Sequence, residues 1–210
     1  MKAHTKITQD SLTPKMAHDF LVEGNQRFVQ NLQAKRDYHG QIKDTSDGQF
    51  QFAVILSCID SRVPTELVFD QGIGDIFSVR VAGNVVNTDV LGSIEYACKA
   101  AGSKIVVVMG HTGCGAVTAA CKNVRMGNIT KLLQKISPAI DISKNDDPNF
   151  KCDYNNPKDV DHVAMENVHQ SIDQIRQKSS ILAELERNGK IEIVGAMYSI
   201  HTGVVEFYPW

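Results

Sequence analysis

A chain of 210 residues, 42% hydrophobic and 22% charged, can bury one core of ordinary size and is expected to form one main domain. A formal net charge of -2 with no long basic run gives no electrostatic footing for nucleic acid or an anionic membrane surface, and leaves small neutral or anionic ligands open. No apolar stretch approaches the ~20 residues of a membrane span, the first residues are polar, and five scattered cysteines fit reduced thiols and metal ligation better than disulfides, so a cytoplasmic protein is expected.

Along the chain, Thr13-Pro14 reads as a helix entrance, and Met16, Phe20, Leu21, Phe28 and Leu32 recur at helical spacing. This predicts an extended amphipathic helix to about Leu32, an N-terminal arm over residues 1–33. Residues 34–48 are polar; residues 51–57 read as a buried strand that delivers Cys58 at its carboxyl end, and residues 76–81 as a second apolar run. Residues 89–101 read as a helix stopped by Gly102, and the β-branched run 104–109 as a central parallel strand, ended by Gly110, from which His111 emerges. A helix over 116–121 puts Cys114-Gly115 at a strand-to-helix turn, where free N–H groups can meet an anion.

The polar stretch 126–157, with Pro138, Pro148 and Pro157, predicts one helix around 129–136 followed by irregular loop. Helices over 160–177 and 181–187, closed by Gly189, precede strands over 190–198 and 204–208 joined by the His201-Thr202-Gly203 turn. The fold class is α/β: a mostly parallel central sheet with one antiparallel edge strand, flanked by helices, in a single domain over 1–210.

The chemistry concentrates in Cys58-Ile59-Asp60-Ser61-Arg62 and His111-Thr112-Gly113-Cys114-Gly115. Two thiolates and one imidazole suit zinc in tetrahedral geometry, and three ligands leave a fourth position for water, as in catalytic sites. Spacing alone leaves structural thiols as an equal alternative. Asp60 stands close enough to Cys58 to orient a nucleophile at the metal or to ligate it, and a bidentate Arg62 would hold it off; the bland reading is a pair that caps a turn. Cys98 and Cys121 are expected to be small core residues, His201 a turn residue, and His162 and His169 surface residues of a helix.

These motifs together resemble the signature of the β-class carbonic anhydrases, Cys-x-Asp-Ser-Arg followed by His-x-x-Cys-Gly. Residues 21–28, the segment Arg80-Val81-Ala82-Gly83-Asn84 and the final strand at 203–206 extend the resemblance through most of the chain. It implies reversible hydration of CO2 to bicarbonate and a proton, by hydroxide carried on one Zn2+ per chain, with Cys58, His111 and Cys114 as ligands and Asp60 and Arg62 as the catalytic pair that opens or blocks the site. By position it also implies that Gln49 hydrogen-bonds substrate, that Phe77 and Tyr96 wall the CO2 pocket from a neighbouring subunit of a homodimer or dimer of dimers, and that Ala82 and the Gly115 N–H line it. Ile55, where a bicarbonate-regulated subclass has Trp, points to the plant-like type I subclass. Where many relatives have Arg-Asn-x-Ala-Asn, residues 80–84 differ, which leaves a zinc hydrolase of COS or CS2 as the alternative and a purely organising zinc as a third reading.

Overall fold

The computed structural model describes residues 3–208. Helices α1 (Lys6–Ser11), α2 (Pro14–Val29) and α3 (Tyr38–Asp44) lead into strand β1 (Ala53–Ser57), helix α4 (Thr65–Val68) and strand β2 (Ile76–Arg80). A 3-10 turn (Ala82–Asn84) and α5 (Thr88–Glu95), finished by a π turn (Tyr96–Ala100), precede β3 (Ile105–His111) and α6 (Gly115–Cys121). Helices α7 (Gly127–Leu133), α8 (Ser137–Asp146), α9 (Pro157–Lys178) and α10 (Ser180–Arg187) lead to β4 (Glu192–Tyr198) and β5 (Val205–Phe207).

The sheet runs β2-β1-β3-β4-β5, parallel throughout except for the β4–β5 edge pair. Every residue of β1 and β3 is buried, because helices cover both faces and their continuous apolar runs have no solvent side. Side chains alternate between the faces: Ala53, Ile55 and Val107 meet Leu21 and Phe69 on one, whereas Val54, Leu56, Val106 and Val108 meet Ile94, Val168 and Ile172 on the other. Helix α2 lies close on the first face: a Cβ at Gly24 would stand 1.9 Å from the Phe69 carbonyl oxygen. Asn25, buried beside it, donates to the carbonyls of Val68 and Gly203 and accepts from the Val205 N–H.

Several expectations are corrected. The N-terminal helix begins at Pro14, capped by Thr13, but ends at Val29, so Leu32 is outside it and 64% exposed; a short helix precedes it and another occupies the polar stretch after it. Gly110 lies inside β3 and does not end it; any side chain there would strike Met197 and Val168. The loop expected after residue 136 is α8, with Pro138 in its first turn, and Pro157 opens α9, both positions where proline's missing N–H costs nothing. Cys121 and Cys152 form a disulfide, against the expectation of reduced thiols throughout; Cys58, Cys98 and Cys114 are free and buried. Among the described residues no helix is long and apolar enough to cross a membrane.

Candidate metal centre

Parallel pairing sets Ser57 of β1 level with Met109 of β3, so Cys58 and His111 arrive side by side at the carboxyl ends of adjacent central strands. Cys114 then caps α6. The potential ligand atoms of Cys58, His111 and Cys114 all lie within 4.8 Å of one another and all three residues are buried. The two sulfurs stand 4.0 Å apart, where a tetrahedral ion with metal–sulfur bonds of about 2.3 Å sets them roughly 3.8 Å apart.

The imidazole is prepared for the same ion. His111 Nδ1 lies 3.0 Å from the Thr112 carbonyl oxygen, which can only accept, so Nδ1 carries the proton and Nε2 the lone pair. Nε2 is buried without a hydrogen-bond partner, a costly condition that a cation at the centre of the three groups removes. The thiols fit as well. The Cys58 thiol is lowered, chiefly by the hydrogen bond from Cys114, with the neighbouring His111 imidazole and the Gly83 N–H, 3.3 Å from its sulfur, assisting against burial. Cys114 is pushed up in turn by the Cys58 thiolate and by burial, so the pair keeps one proton that a cation displaces.

Asp60 and Arg62 flank this cluster. Arg62 Nε and Nη2 donate to the two Asp60 carboxylate oxygens at 2.9 and 2.7 Å, and the Arg62 backbone N–H donates to Oδ1 at 2.9 Å. Those hydrogen bonds, against a smaller opposing effect of burial, hold the Asp60 carboxyl well below the usual carboxylate range. Arg62 Nη2 also reaches toward the Gly113 carbonyl at 3.5 Å, while the Gly113 N–H donates to Asp161 of α9 at 2.8 Å. Gly115 is exposed and opens α6, where backbone N–H groups have no acceptor within the helix.

The remaining predicted residues stand elsewhere in the protomer. Gln49 is exposed before the amino end of β1, separated from Cys58 by a five-residue strand of roughly 16 Å. Phe77 is level with Val54, near the start of β2, and its ring lies 6.2 Å from that of Tyr96. The two rings, with Arg80, Thr88 and Ser93, line an open concavity of about 800 Å³ beside the unpaired edge of β2, and none of the three metal-site residues lines it. Ala82, half-buried, opens the 3-10 turn that brings the Gly83 N–H to Cys58.

Sequence reasoning missed the groups that brace this centre. Arg80 Nε donates to the Cys58 carbonyl at 3.0 Å and Nη2 to the Asp60 carbonyl at 2.6 Å. Asn167, fully buried in α9, donates to the Gly83 carbonyl at 2.8 Å. A polar residue between Val163, Ala164 and Val168 on the buried stripe of α9 was the available signal for Asn167. Asp161 gave none, since one acid in the first turns of a helix is ordinary.

A family model described as Carbonic anhydrase matches residues 53–205. The chain is 34% identical over 199 residues to carbonic anhydrase 2 of Mycobacterium tuberculosis (strain CDC 1551 / Oshkosh), covering 90% of each protein. Among solved structures it is similar to the β-carbonic anhydrase CafA of Aspergillus fumigatus, with a TM-score of 0.71 and 25% identity over 80% of this chain and 79% of that one. It also shares its fold with one of two tetrameric β-carbonic anhydrases of Sordaria macrospora, with a TM-score of 0.70 and 21% identity over 93% of each chain.

Proposed function

The chain belongs to the β-class carbonic anhydrases, zinc enzymes that hydrate CO2 reversibly to bicarbonate and a proton, and from that premise we propose how its own residues divide the work. Cys58 Sγ, His111 Nε2 and Cys114 Sγ hold the zinc, the reading carried by the one imidazole nitrogen among the described residues that is buried without a partner, beside two thiols. Zinc bound there supplies a Lewis acid that brings the pKa of water from 15.7 toward about 7.

The chain does the rest. The Asp60 carboxylate, ionised and fixed by Arg62, accepts a hydrogen bond from the attacking water or hydroxide and so aims its lone pair at CO2. Turned the other way, the same carboxylate blocks the metal, and Arg62 decides between the two positions. The Gly115 N–H donates to an oxygen of the forming bicarbonate, a charge that the amino end of α6 favours. Asp60, partly open to solvent, passes the proton outward.

The pocket is completed by a second copy. Gln49, Phe77 and Tyr96 lie away from the protomer's own zinc ligands, the two rings beside an unpaired strand edge, and Tyr96 is 59% exposed. A homodimer or dimer of dimers sets these three side chains around the CO2 that faces the partner's metal, while Ala82 lines the pocket beside its own chain's Cys58. Ile55 in β1 supports the plant-like type I subclass, residues 1–210 are read as one domain with an arm over 1–33, and the cytoplasmic reading no longer draws on the cysteines, since Cys121 and Cys152 are paired. The COS or CS2 alternative is not favoured by the relatives, which are named carbonic anhydrases.

Stopped-flow CO2 hydration at alkaline pH on zinc-loaded protein tests the assignment, with Cys114→Ser and COS run in parallel. Fast hydration in the wild type, lost together with zinc in Cys114→Ser, is expected. Full zinc with no CO2 turnover, and sulfide released from COS, sinks it.

A further inference from the structure

We infer that Arg80 is a positioning residue for the reaction: it grips the backbone of the Cys58–Asp60 turn and thereby keeps the Asp60 carboxylate off the metal, a restraint separate from that of Arg62. The inference rests on the reading that Asp60 competes with an exogenous ligand for the zinc.

Arg80 is the last residue of β2 and pairs with Ser57, the last residue of β1. From there its guanidinium forks across the turn, Nε to the Cys58 carbonyl at 3.0 Å and Nη2 to the Asp60 carbonyl at 2.6 Å. The residues after it continue the grip: the Val81 N–H donates to the Ser57 carbonyl at 3.0 Å, and the Gly83 N–H to the Cys58 sulfur at 3.3 Å. The end of β2 therefore holds the ligand loop at residues 57, 58 and 60, by backbone and side chain together.

The chemistry of the pairing is informative. A guanidinium ordinarily meets a carboxylate, yet among the described residues Arg80 forms no ion pair, and both of its hydrogen bonds go to neutral carbonyls. Two parallel donors on one rigid plane fix the orientation of the two peptide units that flank Ile59 and Asp60. Arg62 controls the Asp60 side chain, and Arg80 controls the peptide from which that side chain swings. A carboxylate two residues from a ligand needs both freedoms to reach the ligand's metal. Lysine offers a single point charge and cannot span the two carbonyls.

The test uses holoprotein with cobalt(II) in place of zinc and follows azide binding by the visible spectrum, which reports whether the fourth position is open. Wild type, Arg62→Ala, Arg80→Ala, Arg80→Lys and the double variant Arg80→Ala/Asp60→Asn are compared at full cobalt occupancy. Arg80→Ala and Arg80→Lys are expected to bind azide at least about tenfold more weakly than wild type, and the double variant to recover, because the amide is a poor competitor for the metal. Wild-type azide affinity in Arg80→Ala, or no recovery in the double variant, overturns the inference. If Arg80→Ala does not fold, Arg80→Lys decides by the same reading. Wild-type affinity in Arg62→Ala overturns the Asp60 reading itself; lost affinity there with wild-type affinity in both Arg80 variants overturns the role of Arg80 alone.

Discussion

Arg62 meets Asp60 at both carboxylate oxygens and again through its own backbone N–H, with all three hydrogen bonds between 2.7 and 2.9 Å. The pair is only two residues apart, so the turn itself sets the geometry and little side-chain entropy is lost in making it. Arg62 is half exposed, and its role is therefore one of direction more than of stability.

The Asp60 carboxyl should titrate below the ordinary ~3.9 of an aspartate, and Arg62→Ala should raise its midpoint. A depressed folded-state value contributes stability that is present above the unfolded value and disappears as pH falls through the folded one. Asp60 is then ionised across the neutral and alkaline range, and the pH dependence of CO2 hydration there does not come from it. Carboxyl 13C shifts followed during acid titration check this; an unchanged midpoint in Arg62→Ala refutes it.

Cys114→Ser should bind zinc at least tenfold more weakly, since a hydroxyl is a far poorer ligand than a thiolate and the paired Cys58 sulfur loses its neighbour. Competition with a chelator of known affinity gives the number. Chelation of the wild type should also lower its Tm, because the ion binds only the folded site.

Asp70 offers a test away from the centre. It is 3% exposed and accepts hydrogen bonds from Arg27 Nε at 2.5 Å, the Ala34 N–H at 3.1 Å and Arg36. Burial pushes its carboxyl up, but Arg27, the Ala34 N–H and Arg36 together hold it below the usual value. Asp70→Asn should cost about 3–5 kcal/mol at neutral pH, by removing the buried negative charge that Arg27 and Arg36 share. That penalty should shrink as pH falls below the ordinary carboxylate range, where the wild type also loses the charge. Urea unfolding at neutral and acid pH measures both values; a penalty independent of pH contradicts the account.

The Cys121–Cys152 disulfide joins positions 31 apart in the sequence, so Cys121→Ser should destabilise the oxidised protein by about 2–4 kcal/mol. Thermal unfolding with and without reductant separates this from packing: reduced wild type should fall to the level of the variant, and the variant should not respond.

The sheet was legible where apolar runs were continuous, because a strand buried on both faces, such as β3, leaves an unbroken β-branched signal. The clustering of Cys58, His111 and Cys114 was legible because each follows such a run closely, but spacing alone left them open as structural thiols, and their reading as metal ligands came from the family resemblance. The stretch 137–146 was not: Asp141, Lys144 and Asn145 hide an apolar stripe of only Ala139 and Ile140, and helix formation there depends on packing against α9. The Cys121–Cys152 pairing was invisible because the partners meet only after α7 and α8 fold back. Arg80 was in view but not in role, since carbonyl acceptors leave no mark in a sequence.

Helix α9 touches the metal loop through Asp161, the 3-10 turn through Asn167 and the sheet through Val168 and Ile172. The loop that carries His111 and Cys114 is therefore tied to this rod directly, and the loop that carries Cys58 through the 3-10 turn, whose Gly83 N–H meets the Cys58 sulfur. Amide hydrogen exchange in α9 should set the pace: the slow protons of this helix and the escape of the ion from its site belong to one cooperative opening, so the half-life of the metal in the protein becomes a readout of helix stability.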